Sequence, residues 1–167
     1  RVGDKSMTKL PKLDGCFDYA HSDIKSDFMD VFLAAKCIFC IGTSSGYYHI
    51  PMFFERPILL LNCVPLSPVL SLNEKSIFLP KKYIYINTKN KVHLNELFSF
   101  NYMMFSDLQT LKENNITTLD NTSEEILLAL KDMIKMNKFK DIDNDFLQKN
   151  KVFKNKIHTI FKDNNLE

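Results

Sequence analysis

No apolar run in this sequence approaches the ~18 residues that a membrane-spanning helix needs. The longest, Pro57 to Val64, is of strand length and is interrupted by Asn62. Charge of one sign is also missing: 22 basic residues face 20 acidic ones, for a net charge of +2. A broad electrostatic grip on nucleic acid requires a basic excess, so nucleic acid is not an expected partner. Lysines do thicken toward the end, at Lys149, Lys151, Lys154, Lys156 and Lys162, but they alternate with Asp and Asn as on a solvated helix. No Walker loop and no G-x-G-x-x-G occurs, and no internal repeat is visible. No nucleophile stands beside a base and no metal-ligand cluster is present, so a hydrolase reading lacks its residues and no metal site is expected.

Of the four cysteines, Cys37 and Cys40 form a C-x-x-C, a pattern associated with metal or redox chemistry. No second cysteine pair and no histidine pair accompanies it. Cys-Ile-Phe-Cys reads instead as buried strand, where cysteine is a small hydrophobe. Reduced structural thiols point to the cytoplasm. With 167 residues, 45% hydrophobic and 25% charged, the chain has the composition of a soluble globular domain with one sizeable core.

The pattern along the chain predicts alternating strands and helices. Gly15 to Tyr19 reads as a short strand. Ser22 is the expected N-cap of a helix from about Asp23 to Lys36, whose apolar face is Ile24, Phe28, Val31, Phe32 and Ala35. Cys37 to Ile41 is the next strand, Thr43 to Gly46 a polar turn and Tyr47 to Glu55 a short helix, with Pro51 tolerable only near its first turn or as a kink. Pro57 to Cys63 is a buried strand. Ser76 to Ile86 holds one or two more, interrupted by Pro80. Leu94 to Glu113 reads as helix and Ile116 to Leu119 as strand. Thr122-Ser-Glu-Glu125 is a capping box opening a helix to about Asn137, with Ile126, Leu127, Leu130, Met133 and Ile134 on one side. Fully apolar strands separated by helices imply α/β class, a parallel sheet with helices on both faces. The division expected is a domain over 1–137 and a charged helical extension over 138–167, its last amphipathic stretch running from Phe146 to Phe161.

The segment richest in chemistry is Gly42-Thr43-Ser44-Ser45-Gly46. In α/β sheets ligands bind beyond the carboxyl ends of the strands. There a Ser-rich turn and the helix behind it offer backbone N–H groups, hydroxyls and partial positive charge to a phosphate. An ordinary strand–helix turn capped by Ser45 is the alternative. Arg1 could fork onto a diphosphate, and Asp4 could orient it or meet a sugar hydroxyl; a surface turn is the plainer reading. His49, one turn further on, suits a phosphate or sugar, or else a backbone carbonyl. Asn62, polar within an apolar strand, must find partners if buried, either a ligand or a neighbouring loop. Asp18 and Tyr19 fall at the same edge. His21, His93 and His158 have no constellation around them.

Together, Arg1-Val-Gly-Asp-Lys-Ser-Met7, Phe17-Asp-Tyr-Ala-His-Ser22, Met29-Asp-Val-Phe-Leu-Ala-Ala-Lys-Cys37, Phe39-Cys-Ile-Gly-Thr-Ser-Ser-Gly46, Pro51, Pro57 to Asn62 and Asp120-Asn-Thr-Ser-Glu-Glu-Ile126 resemble a family of bacterial glycosyltransferases. Members lie near genes for surface polysaccharides and sugar modification. The resemblance spans Arg1 to Met136. It implies the C-terminal half of a GT-B-like fold, a Rossmann-like domain that binds a nucleotide-diphosphate sugar, with a saccharide or other polar acceptor. It further implies catalysis without a bound metal or cofactor, because arginine, lysine and helix N-termini neutralise the diphosphate in such enzymes. By position, Arg1 and Thr43 to Gly46 would hold the diphosphate, in the cytoplasm or at the inner face of the membrane. The family's N-terminal region, with a further arginine and the base, is absent here. The segment is therefore expected to be truncated and inactive alone, its missing partner being the N-terminal domain of the same polypeptide. The family's Phe-Gly-x-Pro stretch stands here as Phe54-Glu55-Arg56-Pro57. Without the resemblance, a non-catalytic nucleotide- or sugar-binding module and a nucleotide-sugar epimerase remain open, the latter needing carboxylates such as Asp4 and Asp18.

Overall fold

The computed structural model describes residues 1–97, 108–138 and 144–163. The protein is α/β. A three-stranded parallel sheet consists of β1 (Cys40–Gly42), β2 (Ile58–Leu61) and β3 (Ile77–Leu79), in the order β1-β2-β3. Register places Ile41 beside Leu59 and Leu60 beside Phe78. Two further strands, β4 (Lys82–Tyr85) and β5 (Ile116–Leu119), pair antiparallel. The helices are α1 (Asp27–Lys36), α2 (His49–Phe53), α3 (Leu94–Leu97), α4 (Leu108–Glu113), α5 (Ser123–Lys138) and α6 (Asn144–Asp163).

All four residues of β2 are buried, as the uninterrupted Ile-Leu-Leu-Leu run requires of a strand covered on both sides. Side chains alternate across a strand. Leu59 and Leu61 accordingly join Met133 and Met136 of α5, while Ile58 and Leu60 join Tyr48, Cys63 and Leu72 on the opposite face. Each fully buried Leu contributes about 1.5–3 kcal/mol. A second cluster holds β4 and β5 to Leu97 and Leu111 through Tyr83 and Ile116. Ile157 of α6 is fully buried against Val69, so α6 docks on the 3-10 turn at Ser67–Ser71.

Several local expectations are met. Pro80 separates β3 from β4, Pro51 lies within the first turn of α2, and Ile116 to Leu119 is strand. The capping box forms in both directions: Thr122 Oγ1 accepts from Glu125 N at 3.3 Å, and Glu125 Oε2 accepts from Thr122 N at 2.8 Å. Of the helix expected over Leu94 to Glu113, both ends are present as α3 and α4, and 98–107 lies outside the described residues. Phe161 likewise lies where no side chain is described.

Other expectations are corrected. Gly15 to Tyr19 is not a strand; Tyr19–His21 is a 3-10 turn. The backbone there pairs with the distant first residue and not with a sheet: Phe17 O accepts from Arg1 N, and Ala20 N donates to Arg1 O. Helix α1 begins at Asp27, not Asp23. Ser22 Oγ donates to Tyr19 O, and Ser26 caps instead, accepting from Met29 N at 3.3 Å. The strand expected over Cys37 to Ile41 shortens to Cys40–Gly42, because Cys37 N still closes the helix onto Leu33 O. The apolar stripe of α1 faces outward: Phe28 is 73% exposed, Val31 and Phe32 are exposed with it, and so is Ile24 ahead of the helix. Ala34 is the residue that α1 buries. In α5, Leu127 is likewise exposed, and Ala129 and Met136 pack inward with Ile126, Leu130 and Met133.

Candidate functional site

Three parallel strands end on one edge of the sheet, and the chain leaves each end with a polar residue. Thr43 comes directly after β1, Asn62 directly after β2 and Lys81 two residues after β3. Beyond that edge lie two adjoining hollows that share Thr43.

The first hollow, about 640 Å³, brings together Arg1, Asp4, Thr43, Ser45, Lys25 and Tyr47. Gly3 also lines it. Its φ is +142°, and a Cβ there would lie 2.2 Å from Met7 Sδ, so the turn that carries Arg1 past the sheet requires glycine. The expectation that Asp4 orients Arg1 is corrected. Asp4 Oδ1 accepts from Ser6 N at 2.7 Å and from Ser6 Oγ, which closes its own turn and, with the Ser6 hydroxyl first, holds its carboxyl below the usual value. Asp18 holds the arginine. Its two oxygens accept from Arg1 Nη2 at 3.0 and 3.2 Å, and Oδ2 also accepts from Leu10 N at 2.9 Å. His21 Nδ1 lies 3.1 Å from Asp18 Oδ2 and 3.4 Å from Arg1 Nη2, so this histidine does have a constellation. The sequence hid it because Arg1 lies far from Asp18 and His21 along the chain.

This pairing limits what Arg1 can offer. Nη2 is committed to Asp18, and Nε is buried without a partner. Nη1 is the nitrogen left for a ligand, so Arg1 presents the two N–H groups of one nitrogen and not a two-nitrogen fork. Nearby, Lys25 Nζ pairs with Asp30 at 3.0 Å and sits over the Tyr19 ring. Tyr47 OH donates to Asp30 O at 3.0 Å.

The turn after β1 also departs from expectation. Ser45 makes no capping bond, and a 3-10 turn, Gly46–Tyr48, comes before the five residues of α2. So short a helix contributes little dipole at its N-terminus, leaving hydroxyls as the donors. Thr43 and Ser45 carry theirs into the first hollow with no hydrogen bond among the described residues. Ser44 lines the second hollow; behind it the Cys63 thiol donates to Leu61 O at 3.4 Å, and burial raises that thiol. Gly46 and His49 line neither hollow. His49 Nδ1 donates to Gly46 O at 3.1 Å and its ring stacks on Tyr48, the carbonyl-satisfied reading of this residue. A side chain at Gly46 would meet nothing within 4 Å, so no close backbone approach demands glycine there.

The second hollow, about 490 Å³, is lined by Thr43, Ser44, Asn62, Lys81, Thr118 and Asp120. Asn62 has φ +51°, and its Oδ1 accepts from Asn121 N at 2.7 Å. Asn121 Nδ2 donates in turn to Pro80 O at 2.9 Å. Asn62 thus serves the neighbouring loop through its oxygen, while Nδ2 makes no hydrogen bond among the described residues. Lys81 and Asp120 pair at 2.7 Å. Sequence reasoning missed both, and Thr118 with them, because their place at the site depends on the register of β4 and β5, which sets Lys82 opposite Leu119 and Tyr83 opposite Thr118.

Burial pushes the Cys40 thiol up to about 11 and raises Cys37 as well, which keeps both protonated at neutral pH. Among the described residues no group of three or more His, Cys, Asp or Glu is placed to hold a metal ion, and no helix is long and apolar enough to cross a membrane. In comparisons with known proteins, no family model, no curated protein and no solved structure matches this chain.

Proposed function

We propose that this chain is the donor-binding part of a glycosyltransferase that moves a sugar from a nucleotide-diphosphate sugar to a saccharide or other polar acceptor. One observation carries the reading. Arg1, Asp4, Thr43 and Ser45, from segments far apart in sequence, line one hollow at the carboxyl end of a parallel strand, where α/β sheets bind ligands. On this reading the diphosphate meets Arg1 Nη1 and the hydroxyls of Thr43 and Ser45. As the sugar–phosphate bond breaks, charge builds on the departing diphosphate, and these donors stabilise it electrostatically.

The three strands then form part of a larger Rossmann-like sheet in a GT-B-like enzyme. The outer edge of β1 has no strand beside it among the described residues, and Ile41 on that strand is 49% exposed. An apolar hollow of about 660 Å³ lies beside it, lined by Leu33, Cys37, Phe39 and Ile41. With the outward stripe of α1, this surface is where an N-terminal domain of the same polypeptide would pack, bringing the acceptor site and the base. The chain alone binds the donor without turnover.

The test is a thermal-shift screen against UDP, GDP, CDP and ADP, with Arg1→Ala and Ser45→Ala as controls. At a hundredfold excess over Kd, binding adds about 2.7 kcal/mol, roughly 5–10 °C for a chain of this size. A rise with one diphosphate that both variants lose supports the reading. No rise with any at millimolar concentration overturns it for this chain.

A further inference from the structure

The second hollow differs from the first in charge and in framing. Its charged wall is the single pair Lys81–Asp120, so the formal charges cancel. A phosphate entering there would gain the ammonium and face the carboxylate at once. A neutral polyhydroxylated ring has no such conflict, because each hydroxyl both donates and accepts. The hollow presents both kinds of partner: the Asp120 carboxylate accepts, Lys81 Nζ and Asn62 Nδ2 donate, and the Thr43 and Thr118 hydroxyls do either. Asp120 is 68% exposed in its side chain, and a carboxylate engaged in one ion pair retains acceptor sites for two ligand hydroxyls.

The frame beneath is held by a web of hydrogen bonds. Asn62 N donates to Leu79 O at 2.9 Å, Asn62 Oδ1 takes Asn121 N, and Asn121 Nδ2 reaches Pro80 O. These bonds tie the ends of β2, β3 and β5 together. They also set Lys81, next to Pro80, opposite Asp120, next to Asn121. Pre-set polar groups bind a small ligand with little ordering cost. An exposed pair such as Lys81–Asp120 contributes little to folding, so stability does not account for its placement.

We propose that this second hollow is a sugar subsite, holding the ring of the donor through Asp120, Lys81, Asn62 and Thr118. The proposal rests on the donor-binding reading for the ligand's other half, but it can be tested without it. Amide chemical shifts would be followed by NMR while methyl glycosides of glucose, galactose, mannose and N-acetylglucosamine, and separately inorganic phosphate, are titrated in. The expected result is saturable shifts at Thr43, Asn62, Thr118 and Asp120 with at least one glycoside, weakened about tenfold in Asp120→Ala, with little response there to phosphate. Asp120→Asn, which keeps the shape and one acceptor oxygen, should recover part of the affinity. Shifts from phosphate in place of glycosides, shifts elsewhere, or none up to 100-millimolar-scale sugar would each overturn the subsite. A glycoside response with no response to any nucleoside diphosphate would keep the subsite and remove the donor reading.

Discussion

Arg1 Nη2 donates to both carboxylate oxygens of Asp18, at 3.0 and 3.2 Å. That carboxylate also receives Leu10 N and stands beside His21, so one side chain ties the first ten residues to the turn at Tyr19–His21. The Leu10 hydrogen bond, and after it the Arg1 charge and the His21 hydrogen bond, hold the Asp18 carboxyl below its usual 3.8, against the opposing cost of burial. A carboxylate with a depressed folded-state pKa stabilises the fold above its unfolded value and loses that effect as pH falls through the folded value. Wild type should therefore melt above Asp18→Asn at pH 6, and the gap should close below about pH 4. Melting temperatures of both proteins from pH 2 to 6 check this; a gap that stays constant to pH 2 would deny the ionised pair its role.

Glu55 sits at φ +55°, in the left-handed region where a side chain costs about 1–2 kcal/mol. Its backbone cannot relax freely, since its N–H bonds Met52 O and its carbonyl takes Asn73 Nδ2 at 3.1 Å. Glu55→Gly removes the side-chain penalty but adds freedom to the unfolded chain, about 0.4–1 kcal/mol. The expected net is stabilisation by about 0.5–1 kcal/mol, read as a raised urea midpoint with unchanged slope.

Where a pattern lies within one element, the sequence was readable. The Ile-Leu-Leu-Leu run of β2 names the most buried strand, and Thr122 and Glu125 name their own helix start. The Ser-rich turn after β1 could be placed because it adjoins its strand directly. Less legible was anything set by the meeting of distant segments. Asp18 and not Asp4 holds Arg1 because Ser6 occupies the Asp4 carboxylate while Arg1 packs on the turn at Tyr19–His21, and Lys81 and Asp120 meet because β4 and β5 pair with Lys82 opposite Leu119. The apolar periodicity of α1 correctly indicates a helix, but periodicity alone does not say what the stripe faces. Ser22 and Ser26 are equally good caps by composition; the Tyr19 carbonyl claims the first and leaves the second.

Asn62→Ala should be costly although Asn62 is only half-buried. The oxygen that takes Asn121 N at 2.7 Å is lost, and a buried N–H left without a partner costs about 1–3 kcal/mol. Alanine also tolerates φ +51° less readily than asparagine. Denaturant unfolding should show the loss. Asn62→Asp, which restores an acceptor, should recover most of it, whereas a variant that recovers nothing would mean the hydrogen bond is not the cause.

The outward stripe of α1 and the core of β2 make opposite predictions for equally apolar residues. Phe28 is 73% exposed, so Phe28→Ser removes little buried surface and should change stability by no more than about 0.5 kcal/mol. Leu60 is fully buried between β1 and β3, and Leu60→Ala should cost about 2–5 kcal/mol through lost contacts and a cavity. An exposed apolar stripe, beside a strand edge that has no partner among the described residues, also favours association. Phe28→Ser combined with Phe32→Ser should thus lower the self-association of this chain in sedimentation experiments while its melting temperature holds. In a polypeptide that carries the N-terminal domain, the same double variant should become destabilising, because the stripe would then be part of an interface. If the double variant unfolds this chain on its own, α1 packs inward and the interface assigned to its outer face is wrong.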